Sequence, residues 1–306
     1  MKSVLTADLG GTKCRFAVVA EDLSVLGATQ FDTTLDRAAL LGGMGRTLTA
    51  LAATRWPGVD PPCALGIGTA GVVDPAGERV HSAPNLPIAG LDLAAHFRAL
   101  LGVPTTVMND GRCSALGEFR HGHAAGADPL LVLFFGTGVG IGLIVGGRPY
   151  AGASNAAGEI GHTIHRPGGR LGPNGRAGTF EAYCGGGPMG RRALDELGPS
   201  PSGGGAWRVG EILAARARDP RAAAILLEAE VAAGALVANA CTVLNPAAVV
   251  LGGGVLQGWP ELRGNIERFV REHCSPVITA TLRFVPSRGE SDAILWGAAE
   301  ATGRLW

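Results

Sequence analysis

Asp8-Leu9-Gly10-Gly11-Thr12-Lys13 joins two apolar stretches, Val4-Leu5-Thr6-Ala7 and Cys14-Arg15-Phe16-Ala17-Val18-Val19. Two β-compatible runs meeting at Gly-Gly predict a hairpin. Glycine lets such a turn bring backbone N–H groups close to an anion, Thr12 and Lys13 add donors, and Asp8 can hold a hydrated cation. The pattern outlines a nucleotide phosphate site. Its plain alternative is a tight hairpin with a charged tip.

A second copy of the pattern decides between the two. Leu130-Leu131-Val132-Leu133-Phe134-Phe135 runs into Gly136-Thr137-Gly138-Val139-Gly140 and on into Ile141-Gly142-Leu143-Ile144-Val145, again strand, glycine turn and strand. Two such hairpins predict a duplicated unit clasping one nucleotide from both sides. Neither is a Walker loop, because no G-x-x-x-x-G-K-[ST] occurs in the chain.

Further motifs follow in order: Asn109-Asp110-Gly111-Arg112, Glu159-Ile160-Gly161-His162 and Val250-Leu251-Gly252-Gly253-Gly254. Together with the two glycine loops they resemble the ROK family of sugar kinases and repressors, within the actin-like ATPase superfamily. The likeness runs from residue 5 to residue 299. It implies an α/β, two-domain actin-like ATPase (ribonuclease H-like) fold with a cleft between domains. The small domain is expected at 1–112 plus 291–306 and the large one at 113–290.

Length and composition agree with two domains. The 306 residues exceed the size at which one core usually stops growing. Balanced charge, 26 basic against 26 acidic residues, offers no field for nucleic acid or anionic lipid. Residues 130–147 carry no charge and are long enough for a membrane span, but six glycines argue for a buried hairpin. Met1-Lys2-Ser3 leads straight into the first strand without an apolar signal segment, so a cytoplasmic protein is expected. The six cysteines form no C-x-x-C pair and are read as buried, reduced thiols.

Helical spacing of Leu40, Leu41, Met44, Leu48 and Leu51 predicts a helix within 35–55, ended by Trp56-Pro57-Gly58. Ala64–Gly68 reads as a strand. Gly66-Ile67-Gly68-Thr69-Ala70-Gly71 matches G-x-G-x-x-G, but Val72-Val73-Asp74-Pro75 follows where a Rossmann helix should begin, so no dinucleotide site is expected. Helices are predicted over 91–101 and 111–120, with the strand 104–108 between them. Residues 198–205 read as a surface loop. Asp219-Pro220 should open a long apolar helix that ends before Pro246, followed by a strand at 247–251, and 291–305 reads as the final helix.

Asp110 stands where a strand ends and a helix begins, the position for a base that takes the proton of an attacking hydroxyl. The alternative is a helix cap, which Asn109 or Asp110 would make well. Glu159 and His162, three apart, share a face if the segment turns helically. A hexose presents hydroxyls that each donate and accept, so its site needs several fixed polar groups. The resemblance implies sugar contacts from Gly71, Asn85, Asn109, Asp110, Glu159, His162 and Glu181. It implies phosphate and nucleotide contacts from Asp8, Gly10, Gly11, Thr12, Lys13, Gly136, Thr137, Gly138, Gly252 and Gly253, with Asp8 reaching Mg²⁺ through water. His121 and His123 are read as solvated.

Many relatives place C-x-C-G-x-x-G-C before the sugar-binding glutamate, and three of those cysteines hold a structural zinc with the histidine matching His162. Aligned on Glu181, the cysteine positions here are Gly172, Asn174 and Thr179. One ligand of four remains, so no zinc is expected.

The expectation is an ATP- and Mg²⁺-dependent hexose kinase, glucokinase-like, acting on the 6-hydroxyl, as a homodimer without nucleic-acid or membrane partners. Domain closure over the sugar should keep water from the phosphoryl group. The alternatives are an N-acetylhexosamine kinase or a kinase for mannose, fructose or allose, and the resemblance leaves polyphosphate beside ATP as an alternative donor. A sugar-responsive repressor would carry an added N-terminal helix-turn-helix, for which the early phosphate hairpin leaves no room.

Overall fold

The computed structural model describes residues 1–83, 85–288 and 292–305. Ser291, the expected start of the last helix and of the returning domain segment, lies outside the described residues, as do Glu290 and Trp306, the other expected segment ends. The chain forms two compact units. Unit 1 comprises Met1–Gly126, Gly142–Gly158 and Arg288–Trp306; unit 2 comprises Ala127–Ile141 and Glu159–Ser287.

In unit 1, period-two alternation builds a sheet with a different core on each face. The elements are β1 (Ser3–Leu9), β2 (Lys13–Ala20), β3 (Val25–Asp32), α1 (Arg37–Ala53), β4 (Leu65–Thr69), β5 (Val72–Val73), β6 (Val80–Ser82), α2 (Leu93–Leu101), β7 (Thr105–Asn109) and α3 (Asp110–His121). The strand order is β3-β2-β1-β4-β7. β1, β2 and β3 pair antiparallel, while β1, β4 and β7 run parallel. Leu5, Ala7, Leu9, Phe16 and Val18 join Leu40, Met44 and Leu48 of α1 and Phe97 of α2 in one core. Val4, Ala17 and Val19 point the other way and meet Leu295, Trp296 and Ala299 of the C-terminal helix Asp292–Ala301.

That last helix explains the G-x-G-x-x-G match. A Cβ on Gly66 would lie 1.9 Å from the Ala298 carbonyl oxygen, so glycine is there to let a helix cross β4. The strand β5 follows where a dinucleotide helix would start. The same helix crosses α3 at a second glycine contact, Gly297 against the Cys113 carbonyl, where a Cβ would approach to 1.7 Å. This close packing keeps α3 in unit 1, whereas the sequence reading ends the first domain at residue 112.

The charge-free segment 130–147 is a strand–turn–strand as expected, β8 (Leu130–Phe135) and β9 (Val139–Val145), and the short β10 (Arg148–Pro149) follows it. With β11 (Ala248–Gly252) and β12 (Arg283–Pro286) they give the order β10-β9-β8-β11-β12, and the unit boundary falls inside β9. β8, β11 and β12 run parallel. The helices of unit 2 are α4 (Glu181–Cys184), α5 (Gly186–Leu197), α6 (Val209–Ala215), α7 (Pro220–Leu244), α8 (Gly254–Gly258), α9 (Glu261–His273) and α10 (Pro276–Thr279); the C-terminal helix in unit 1 is α11. Asp219 caps α7 through the Arg221 amide, Pro220 occupies its first turn, and Asn245 ends it in the left-handed region at φ 46°. Among the described residues α7 alone is long and apolar enough to cross a membrane, but it is mostly buried and packs on α9, where Gly234 meets the Phe269 ring.

Two side-chain expectations need correction. Five cysteines are buried, but Cys63 is exposed on the approach to β4. His121 is not solvated: its Nε2 lies 2.6 Å from Glu300 Oε1, and its ring meets Trp296 edge-on, because α3 and α11 pack together there. His123 is exposed, as expected.

Candidate active site

In unit 1 the hairpin places Asp8 near the end of β1, opposite Arg15 on β2 and beside Gly68 on β4. The turn is closed by the Gly10 amide donating to the Lys13 carbonyl. Thr33 pins it, its hydroxyl donating to the Gly10 carbonyl at 2.7 Å and its amide to the Thr12 carbonyl. Gly11, Thr12 and Lys13 are exposed at the tip, and Asn85 lies against it, 2.8 Å from where a Cβ on Gly11 would stand.

Asn109 and Asp110 divide two roles that the sequence left open. Asn109 is the N-cap of α3, its Oδ1 accepting from the Arg112 amide at 3.2 Å. Its Nδ2 donates to the Gly71 carbonyl at 3.0 Å. Gly71 itself has φ 106° and sits where a Cβ would strike the Ser82 carbonyl, so its identity follows from the backbone path. Asp110 is therefore free of the cap. Its Oδ1 accepts from the Gly111 amide at 2.8 Å.

Electrostatics couple the two aspartates. Surrounding protein strips water from Asp8, and the charge of Asp110 adds to this, pushing the Asp8 carboxyl up to about 7 against a weaker opposing pull from Arg15. Desolvation also raises Asp110, partly opposed by its amide bonds and Arg112. Two carboxylates crowded in this way are a donor set whose repulsion a divalent cation relieves, so the residues fit a hydrated Mg²⁺.

In unit 2, Glu159 precedes a single 3₁₀ turn, Ile160–His162, closed by the His162 amide on the Glu159 carbonyl. The turn brings His162 Nε2 within 3.5 Å of Glu159 Oε2, so the two do share a face. Glu181 starts α4 and lies 3.9 Å from His162 Nδ1. Its other oxygen accepts from the Val139 amide at 2.9 Å, and a Cβ on Gly138 would overlap it at 2.2 Å. The second glycine loop is thus built onto the Glu181 carboxylate. The start of α5 braces the same loop, with Gly186 and Gly187 amides donating to the Gly136 and Thr137 carbonyls. Gly252 stacks on the Phe134 ring, and Gly253 has φ 102° with the Phe135 carbonyl 2.5 Å from a would-be Cβ, so strand packing already demands both.

Gly172, Asn174, Thr179 and His162, the positions the resemblance led us to compare with a zinc site, do cluster. A Cβ on Gly172 would lie 2.9 Å from Thr179 Oγ1 and 3.2 Å from Asn174 Oδ1, and Asn174 Nδ2 is 3.1 Å from His162 Nδ1. One imidazole among an amide, a hydroxyl and a glycine does not fit zinc. Hydrogen bonds hold the loop instead. Bridges pair Leu171 with Ala177 and Ile164 with Thr179, and the Gly178 carbonyl accepts from the His165 and Arg166 amides. Arg170 and Arg192 both reach Glu228 of α7, at 3.3 and 2.9 Å, and Glu196 of α5 completes the network.

Sequence reasoning missed this network and missed Arg15, whose guanidinium lies 2.6 Å from Asp292 and acts on Asp8. The signal was present: Arg15 is the one charge inside an otherwise apolar stretch of β2. Arg170 and Glu228 carried no such mark, since charged residues in a loop and on a helix are ordinary.

A family model described as ROK family matches residues 4–302. The chain is 28% identical to a glucokinase of Streptomyces coelicolor over 83% of each protein. It is 30% identical to a kanosamine kinase of Amycolatopsis mediterranei over 88% of this chain and 86% of the relative. Among solved structures it resembles a ROK family glucokinase from Streptomyces griseus in complex with glucose and AMPPNP, with TM-score 0.81, 28% identity, and 97% and 98% of the two chains covered.

Proposed function

The chain belongs to the ROK family, and from that premise we propose that it is an ATP-dependent hexose kinase whose acceptor is the 6-hydroxyl of glucose. The observation that carries the reading is the division of labour at the start of α3: Asn109 caps the helix, and Asp110 is left with a desolvated carboxylate beside Asp8. Desolvation raises proton affinity, which suits a base that must take a hydroxyl proton during transfer.

In this reading Asp110 accepts the proton of the attacking hydroxyl. Asn109, Gly71, Asn85, Glu159, His162 and Glu181 orient the sugar. The exposed tip Gly10–Lys13 and the braced loop Gly136–Gly138 hold phosphates, and Gly252 and Gly253 lie along the nucleotide. Asp8 would hold hydrated Mg²⁺, which would neutralise charge developing on the phosphoryl oxygens. The similarity to a glucokinase bound to glucose and AMPPNP supports the choice of ATP and glucose. The protein is taken as a cytoplasmic homodimer.

A second reading, a kinase for another hexose or an N-acetylhexosamine, is favoured by the similarity to a kanosamine kinase. A coupled ADP-release assay over glucose, mannose, fructose, allose, kanosamine and N-acetylhexosamines decides between them. Highest kcat/KM on glucose supports the first reading; highest on an aminosugar supports the second; release with none refutes both.

A further inference from the structure

The Asn174 side-chain amide is oriented without ambiguity. The Arg176 backbone N–H, which can only donate, lies 3.0 Å from Asn174 Oδ1. The amide oxygen is therefore on that side, and the NH₂ group faces His162 Nδ1 at 3.1 Å. A donor hydrogen can face Nδ1 only if that nitrogen presents its lone pair, so the proton of the neutral ring is on Nε2. The turn that carries Asn174 is itself closed, by the Gly172 amide on the Arg176 carbonyl at 2.8 Å and the Gly175 amide on the Gly172 carbonyl at 3.0 Å.

We propose that Asn174 is a positioning residue that holds His162 as its neutral, Nε2-protonated tautomer and so does by one amide hydrogen bond what a bound metal would do by ligation. A metal ligand on an imidazole fixes both the ring's orientation and which nitrogen is left to work with. The amide achieves the same on one nitrogen and leaves Nε2–H pointing to the side where Glu159 Oε2 lies 3.5 Å away. A donor and a carboxylate acceptor at that spacing suit two neighbouring hydroxyls of a sugar ring, one accepting from Nε2–H and one donating to Glu159. The inference rests on the sugar-site reading above for its functional half only; the tautomer follows from the hydrogen bonds alone.

The test combines nitrogen NMR with kinetics on the full chain. With ¹⁵N-histidine label, and with the His162 signals assigned by their loss in His162→Gln, the ligand-free protein should show a pyridine-like Nδ1 and a pyrrole-like Nε2. Asn174→Ala should mix the tautomers and raise the sugar KM roughly tenfold, with kcat within about threefold, the scale of one hydrogen bond to a polar partner. Asn174→Asp keeps an acceptor for the Arg176 amide, and so the turn, but offers Nδ1 an acceptor instead of a donor. It should move the proton to Nδ1 and raise KM at least as far. A parent protein with Nδ1 protonated, or variants with unchanged His162 signals, overturns the tautomer assignment. Shifted signals with unchanged KM overturn the positioning role. If the parent phosphorylates no hexose, the kinase reading falls, while the NMR result still decides the tautomer.

Discussion

At the scale of single residues, the site turns on two aspartates with one environment. Asp110→Asn keeps the shape and the bond to the Gly111 amide but cannot take a proton, so kcat should fall by about 10² or more while sugar affinity stays within a few-fold. Steady-state kinetics with equilibrium sugar binding checks this, and turnover within a few-fold of the parent refutes the base assignment. Asp8 gives a prediction on stability. Its folded carboxyl, raised to about 7 against 3.8, holds its proton more tightly than in the unfolded chain. That contribution is fully present below the unfolded value and is lost as pH rises through 7. Asp8→Asn should therefore stabilise the protein by roughly 2 kcal/mol at pH 8 in magnesium-free buffer, discounted for its partly open side, and by clearly less at pH 5. The same variant should be inactive. Equal Tm gains at both pH values would show that the carboxylate is not desolvated.

At the scale of elements, glycine in the second loop is a matter of contact with a carboxylate. The Glu181 side chain occupies the space a methyl at 138 would need and also accepts from the Val139 amide. Gly138→Ala should push Glu181 aside, lower kcat/KM by about tenfold or more, and lower stability by about 1–3 kcal/mol, as overpacking does. Kinetics and thermal denaturation of the variant check both. Unchanged kinetics would separate loop geometry from activity. Gly234 on α7 makes a useful comparison. It meets the Phe269 ring of α9 rather than a site carboxylate, so Gly234→Ala should cost stability on the same scale while leaving the sugar KM unchanged.

At the scale of the whole molecule, the two sheets repeat one plan. Each has a three-strand run, β3-β2-β1 or β10-β9-β8, continued by two parallel strands, and each carries its glycine turn between the first two strands of that run in sequence. The loop 168–178 is held by bridges and by the Arg170–Glu228–Arg192–Glu196 network. Purified protein should contain far less than one zinc per chain, and chelator should leave Tm unchanged, whereas high salt should weaken the loop's ion pairs. Elemental analysis and thermal denaturation check these outcomes; stoichiometric zinc would mean that ligands come from elsewhere.

The sequence by itself determined the strands of both hairpins, the ends of α7 and the absence of a dinucleotide helix. These depend on period, on caps such as Asp219, and on turn glycines, all of which act over a few residues. It also placed Glu159 and His162 on one face, because a single turn spans them. Tertiary structure decided what lies far apart in the chain. Asn109 rather than Asp110 caps α3 because Gly71, on another segment, takes its amide. Gly138 leans on Glu181, Arg15 on Asp292, and His121 on Glu300, none of them within helical reach of its partner. Whether a charged or polar side chain is solvated depends on what packs over it, and nothing in the local pattern records that.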